Sequence, residues 1–189
     1  SLVMQQCFRS GFGAKEVSAT LPEWLLGSFK PTPDIDIPIN GVFVMVLALV
    51  VTVGVGLFMF RSRWGLRMRA TVQNRVMADA VGINTRKVDR VTFALGCGIA
   101  GVAGAAFTTI ASTGPTTGSL YIVDSFMVVV FGGAASLLGT ITSAFGIAQA
   151  QSILQFFMTS SMGKVATLMV IVGILMLRPE GLFASKLRK

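Results

Sequence analysis

Long runs of apolar residues, divided by short polar segments, set the pattern of this chain. Residues 40–60 form 21 consecutive positions without a charge. A helix rises about 1.5 Å per residue, so this run matches the roughly 30 Å of a bilayer's hydrocarbon core. A second run covers 91–112 and a last one about 159–177. Between them, 121–157 is apolar but interrupted by Gly132-Gly133 and Gly139. The pattern predicts an all-α, polytopic transmembrane helix bundle with one broken or re-entrant helical segment.

The polar segments orient these spans. Residues 61–90 hold Arg61, Arg63, Arg67, Arg69, Arg75, Arg86, Lys87 and Arg90, half of the 16 Lys and Arg. The tail adds Arg178, Lys186, Arg188 and Lys189. Basic residues flanking apolar spans mark the cytoplasmic side. The 61–90 loop and the tail are therefore expected inside, and the 9–39 loop outside. That loop carries Pro22, Pro31, Pro33 and Pro38, which preclude a long helix. Trp24, Leu25, Leu26 and Phe29 suggest an amphipathic turn at the headgroups. With the first span running inward, the second outward and the last inward, 121–157 must begin and end outside. It either crosses twice or dips in and returns. A short first helix, a kinked turn and a longer second helix from about Thr140 to Phe157 are expected. Irregular backbone at that depth requires protein or a water-filled cavity around it, as in transporters with interrupted helices.

Composition narrows the function. The chain is 53% hydrophobic and 13% charged, with mean hydropathy +0.75. A soluble domain carries about 25% charged residues. The net charge of +8 does not read as nucleic-acid binding, because the basic residues adjoin apolar runs rather than a polar face interleaved with aromatics. There is no histidine, so the commonest general acid/base and metal ligand is missing. Cys7 and Cys97 stand too far apart in sequence for a metal or disulfide motif, and Cys97 reads as a small buried apolar residue. Neither an enzyme nor a cofactor site is expected.

Four features carry candidate function. In 71–84, Val72, Val76, Met77, Ala80 and Val81 share a helical face, while Gln73, Asn74, Arg75 and Asp79 point away. Gly82 is placed to cap the helix. Such a helix either lies on the membrane or docks into a groove on a soluble partner. In the second span Gly96, Ala100 and Gly104 recur every four residues, as do Gly101 and Ala105. That spacing serves close helix packing in lipid or lines a solute path. Asp124 has two readings: a helix N-cap at the outer end of its run, or a gate and hydrogen-bonding group near the mouth. Lys164, also near the outer end, is expected to snorkel.

The combined motifs resemble a known family. Arg69-Ala70-Thr71-Val72-Gln73-Asn74, Met77-Ala78-Asp79-Ala80-Val81-Gly82-Ile83 and Val88-Asp89-Arg90-Val91-Thr92-Phe93-Ala94-Leu95-Gly96 look like the permease subunits of bacterial ABC importers of the branched-chain amino acid and urea type. Gly114-Pro115-Thr116-Thr117-Gly118, the run 121–133 and the ending Arg178-Pro179-Glu180-Gly181-Leu182-Phe183-Ala184 look most like the urea branch. Ala134-Ala135-Ser136-Leu137 stands where that branch has Gly-Val-Gly-Gln, and the amino-acid permeases also keep the double glycine. The resemblance covers residues 40–189.

It implies a multi-pass protein of the bacterial inner membrane, with several partners. These are cytoplasmic ATPase subunits, a second permease subunit and a periplasmic solute-binding protein. Residues 61–90 become the coupling loop, with Asn74, Met77, Ala78, Asp79, Ala80 and Gly82 on the ATPase-coupling helix. ATP would be bound by the partner, since no Gly-rich phosphate-cradling Lys motif occurs here. Ser112, Thr113, Asp124, Ser125, Gly132 and Gly133 are candidates for the solute path or gate, with Ser136 and Thr140 as further hydroxyls. Urea is the first expected solute and a branched-chain amino acid the alternative. A passive channel or scaffold is the reading from another class. Residues 1–39 then read as the end of a truncated helix plus a periplasmic loop. Residues 40–189 read as the C-terminal part of a permease domain, in a fragment of a longer protein.

Overall fold

The computed structural model of the chain describes residues 2–32, 35–133 and 136–177. Ala134, Ala135, the basic tail and the motif ending at 178–184 lie outside the described residues. The chain divides into two units, Ser1–Pro115 and Thr116–Lys189.

The first unit starts with α1 (Leu2–Phe12), which buries none of its residues. A short 3-10 turn follows at Glu23–Leu25. Leu25 is buried there, and exposed Trp24 meets the Phe43 ring edge-on at 6.1 Å. Two strands, β1 (Ser28–Thr32) and β2 (Ile35–Pro38), pair antiparallel with Ser28 opposite Pro38. The prolines preclude a long helix here, and a short strand pair forms instead. Proline is tolerated on edge strands, and in a two-stranded pair both strands are edges.

Helix α2 (Ile39–Arg61) covers the first apolar run. Helices α3 (Arg63–Gln73) and α4 (Arg75–Ala80) follow, and α5 (Thr85–Phe107) completes the unit. The second span was expected from residue 91, and its helix starts six residues earlier. Asn84 explains the start: its side chain accepts from the Lys87 backbone N–H at 3.1 Å, and a cap of this kind sets a helix origin whatever the hydropathy of the first turn. Asn40 Nδ2 donates to the Thr109 carbonyl at 3.3 Å, so the start of α2 and the end of α5 share one end of the unit. Cys97, expected to be buried, is exposed on α5.

The second unit is a three-helix up-and-down arrangement: α6 (Thr117–Gly132), α7 (Leu137–Phe157) and α8 (Ser160–Leu177). The broken segment predicted from the glycines is present as α6, a break after Gly132, and α7. The second helix begins three residues before Thr140, because the Ser136 side chain accepts from the Gly139 N–H at 3.1 Å and caps it. Gly133 takes φ +85°, the left-handed region where a side chain is strained. Among the described residues α2, α5 and α7 are long and apolar enough to cross a membrane, and α6 and the α8 run are shorter apolar helices.

Candidate functional site

The basic segment between α2 and α5 is built by caps. Ser62 accepts from the Trp64 N–H at 3.2 Å and starts α3. Asn74 has φ −154° and ψ 103°, outside the helical region, and accepts from the Met77 N–H at 3.1 Å. The continuous helix expected over 71–84 is therefore two helices, divided at the residue whose side chain competes for the backbone. At the other end, Gly82 has φ +86°. The Ile83 N–H donates to the Ala78 carbonyl and the Gly82 N–H to the Asp79 carbonyl, each at 3.0 Å. This is a Schellman closure, with Gly82 in the role its position predicted.

These turns decide which side chains face outward. Met68, Thr71, Ala78, Thr85 and Val88 are buried. Val72, Val76, Met77 and Val81 are exposed, Val76 by 81%. Ala80 is exposed too, and so are Gln73, Asn74, Arg75 and Asp79, so between Val72 and Val81 only Ala78 is buried. Ala78 holds α4 against the protein. Arg75 Nη2 donates to Asp89 Oδ2 at 2.6 Å and ties α4 to α5 across the turn. Two guanidiniums sit over aromatic rings, Arg67 over Trp64 at 5.3 Å and Arg69 over Phe60 at 5.1 Å.

The residues proposed for a solute path separate into three places. Ser112 and Thr113 belong to the first unit. Ser112 Oγ donates to Glu16 Oε2 at 3.2 Å, and Thr113 and Val17 exchange both backbone hydrogen bonds at 3.0 and 3.1 Å. Gly132 and Gly133 lie at the α6–α7 break. A Cβ at Gly132 would stand 2.5 Å from the Gly139 oxygen and 2.6 Å from Ser143 Oγ. Ser143 is 2% exposed, and its hydroxyl lies 2.8 Å from the Val128 carbonyl and 2.9 Å from that of Thr140. Only glycine permits that approach. Ser143 escaped the sequence reading; the signal for it was its place one turn after Gly139, opposite the double glycine.

Asp124 occupies the third place. The N-cap reading fails: α6 starts at Thr117, two turns earlier, with Thr116 in the N-cap position. Asp124 is interior to the helix and half-buried, and neighbouring Ser125 is exposed. It lines a cleft of about 380 Å³ with Tyr121 on α6, Gln151, Ser152 and Gln155 on α7, and Lys164 on α8. Lys164 Nζ lies 5.4 Å from the centre of the Tyr121 ring. Gln155 is pressed close to Gly163, where a Cβ would lie 2.9 Å from Gln155 Cγ. The cleft sits at the end of the unit away from the glycine break.

An apolar helix bundle with a broken span defines the class, a helical membrane protein. The family follows from comparison of the sequence. The profile described as "Branched-chain amino acid transport system / permease component" matches residues 7–178, and the chain belongs to that family. It is 26% identical over 130 residues to the "Probable branched-chain amino acid transport permease protein LivH" of Methanocaldococcus jannaschii, covering 65% of this chain and 41% of that protein. It is also 26% identical over 122 residues to the "High-affinity branched-chain amino acid transport system permease protein LivH" of Escherichia coli, covering 64% of this chain and 40% of that protein. The protein of the same name from Salmonella typhimurium matches to the same extent. The chain thus spans about two fifths of the length of these curated relatives. No solved structure matches it.

Proposed function

We propose that this chain forms part of the permease subunit of an ATP-driven importer of branched-chain amino acids. The single observation that carries this reading is the family match over residues 7–178. The relatives bearing amino-acid names favour the amino-acid branch over urea, which the run 121–133 had suggested. The subunit is multi-pass in the inner membrane, with the 61–90 segment in the cytoplasm by the positive-inside rule. Residues 74–82 couple it to the ATPase subunits. A second permease subunit completes the pathway, and a periplasmic binding protein delivers the solute. Transport proceeds by alternating access, with movement of the ATPase levering α4 and re-packing the spans.

Support for the coupling role comes from the outward apolar face of α4. Isolated exposed apolar residues are ordinary, but Val76 and Met77 on α4, with Val72 just before it and Val81 at its C-cap, offer an apolar surface for docking. The test uses the full-length subunit expressed with its ATPases and binding protein. Val76→Glu is expected to leave membrane insertion intact and to reduce ATPase pull-down and leucine uptake by about tenfold, the effect of losing one apolar anchor of an interface. Wild-type pull-down and uptake in this variant would sink the coupling role. A deletion that abolishes urea uptake and spares leucine uptake would return the assignment to the urea branch.

A further inference from the structure

Asp124 and Lys164 are the only charged residues in 117–177. They come from different helices, α6 and α8, and both line the same cleft. A charge within an apolar span is costly, so such residues mark sites of function or pairing. Simple pairing does not account for these two, because no salt bridge within 4.0 Å joins them. The Lys164 ammonium instead rests over the Tyr121 ring at 5.4 Å. Between them, Gln151 and Gln155 stand one helical turn apart on α7. Each carboxamide offers both a donor and an acceptor. The cleft therefore presents a carboxylate, an ammonium and two amides, kept separate around about 380 Å³ of space.

We infer that this cleft takes the charged head of a zwitterionic α-amino acid, with the ligand's ammonium toward Asp124 and its carboxylate toward Lys164. The inference rests on the amino-acid permease reading and deepens it. A zwitterion has its opposite charges one carbon apart, so a direct Asp–Lys contact would exclude it and a separated pair accommodates it. Gln151 and Gln155 complete the hydrogen bonds of the two charged groups. The apolar side chain of the ligand needs no recognition here beyond an apolar helix surface. A neutral solute such as urea would leave both protein charges without a counter-charge.

The test uses the full-length importer with its binding protein at saturation, reconstituted in vesicles. Leucine uptake and substrate-free ATP hydrolysis are measured for Asp124→Asn, Lys164→Gln and Lys164→Arg. Gln149→Ala, on α7 outside the cleft, is the control. Loss of one charged hydrogen bond is expected to lower uptake about tenfold or more in Asp124→Asn and Lys164→Gln. Lys164→Arg keeps most of the uptake, Gln149→Ala keeps both uptake and substrate-free hydrolysis, and in Asp124→Asn and Lys164→Gln uptake falls more than substrate-free hydrolysis. Wild-type uptake in Asp124→Asn and Lys164→Gln overturns the cleft assignment and leaves the permease reading intact. A parallel fall of uptake and substrate-free hydrolysis also overturns it, because that is the mark of a structural role. Failure of the wild-type importer to take up any amino acid sinks the permease reading, and this inference with it.

Discussion

The glycines of α5 and those at the α6–α7 and α7–α8 contacts behave in opposite ways. In the first unit, α2 and α5 leave two apolar clefts between them, of about 300 and 460 Å³. Gly54 and Gly96 line the larger one, and a Cβ at Gly96, Gly101 or Gly104 would meet nothing within 4 Å among the described residues. In the second unit, a Cβ at Gly132 or Gly163 would strike the neighbouring helix. A small residue thus closes a contact between α6 and α7 and between α7 and α8, as Gly65 does against the Met59 backbone in the first unit, and leaves a surface open along α5. The same contrast holds for polar groups. The first unit spends its asparagines on helix ends, where Asn74 and Asn84 set the turns of the basic segment. The second unit places Ser143 inside a helix–helix contact. Small-xxx-small spacing licenses close approach but does not say which partner makes it.

The contrast can be broken most sharply at Gly132. Gly132→Leu in the full-length protein is expected to prevent the α6–α7 contact, since overpacking a tight core site costs about 1–3 kcal/mol or more. Thermal unfolding in detergent should show a clear drop, and an unchanged midpoint would mean that α6 and α7 do not meet at this glycine. Gly82→Val comes next. The left-handed φ of +86° costs a β-carbon about 1–2 kcal/mol, and faster hydrogen exchange confined to 75–83 is the expected signature. Exchange unchanged there would show that α4 ends without the Schellman turn. Gly101→Ala should have the smallest effect and the opposite sign. With open space around it, replacing a mid-helix glycine stabilises by about 0.5–1 kcal/mol. A marked loss of stability in the full-length protein would show that another span or subunit packs on that face.

Periodicity made the helices legible, and it grouped Val72, Val76, Met77, Ala80 and Val81 as one face; all five are exposed, but Val72 lies on α3 and the others on or just after α4. It also carried the helix through Asn74, because apolar spacing does not register a side chain that bonds its own backbone. The grouping therefore missed that Ala78 is the buried anchor. Val76 is for that reason a better probe of docking than Ala78, where a large substitution disturbs the fold itself. Asp124 was legible as unusual and misread as a cap, since nothing local marks how far a helix extends beyond an apolar run. Its neighbours on α7 and α8 lie 24 or more positions away, and no local pattern connects them.

The sequence by itself determined the helical class, the broken segment and the membership of the permease family. Each of these rests on the order of residues along the chain: unbroken apolar length, glycine pairs and local motifs. Tertiary structure alone decided which glycines close contacts and that Ala78 is the buried residue of α4. It alone also brought the two lone charges of 117–177 to one cleft. The reason is physical. Hydropathy and propensity act between neighbours along a helix, whereas contact, capping and charge placement depend on which helix packs against which.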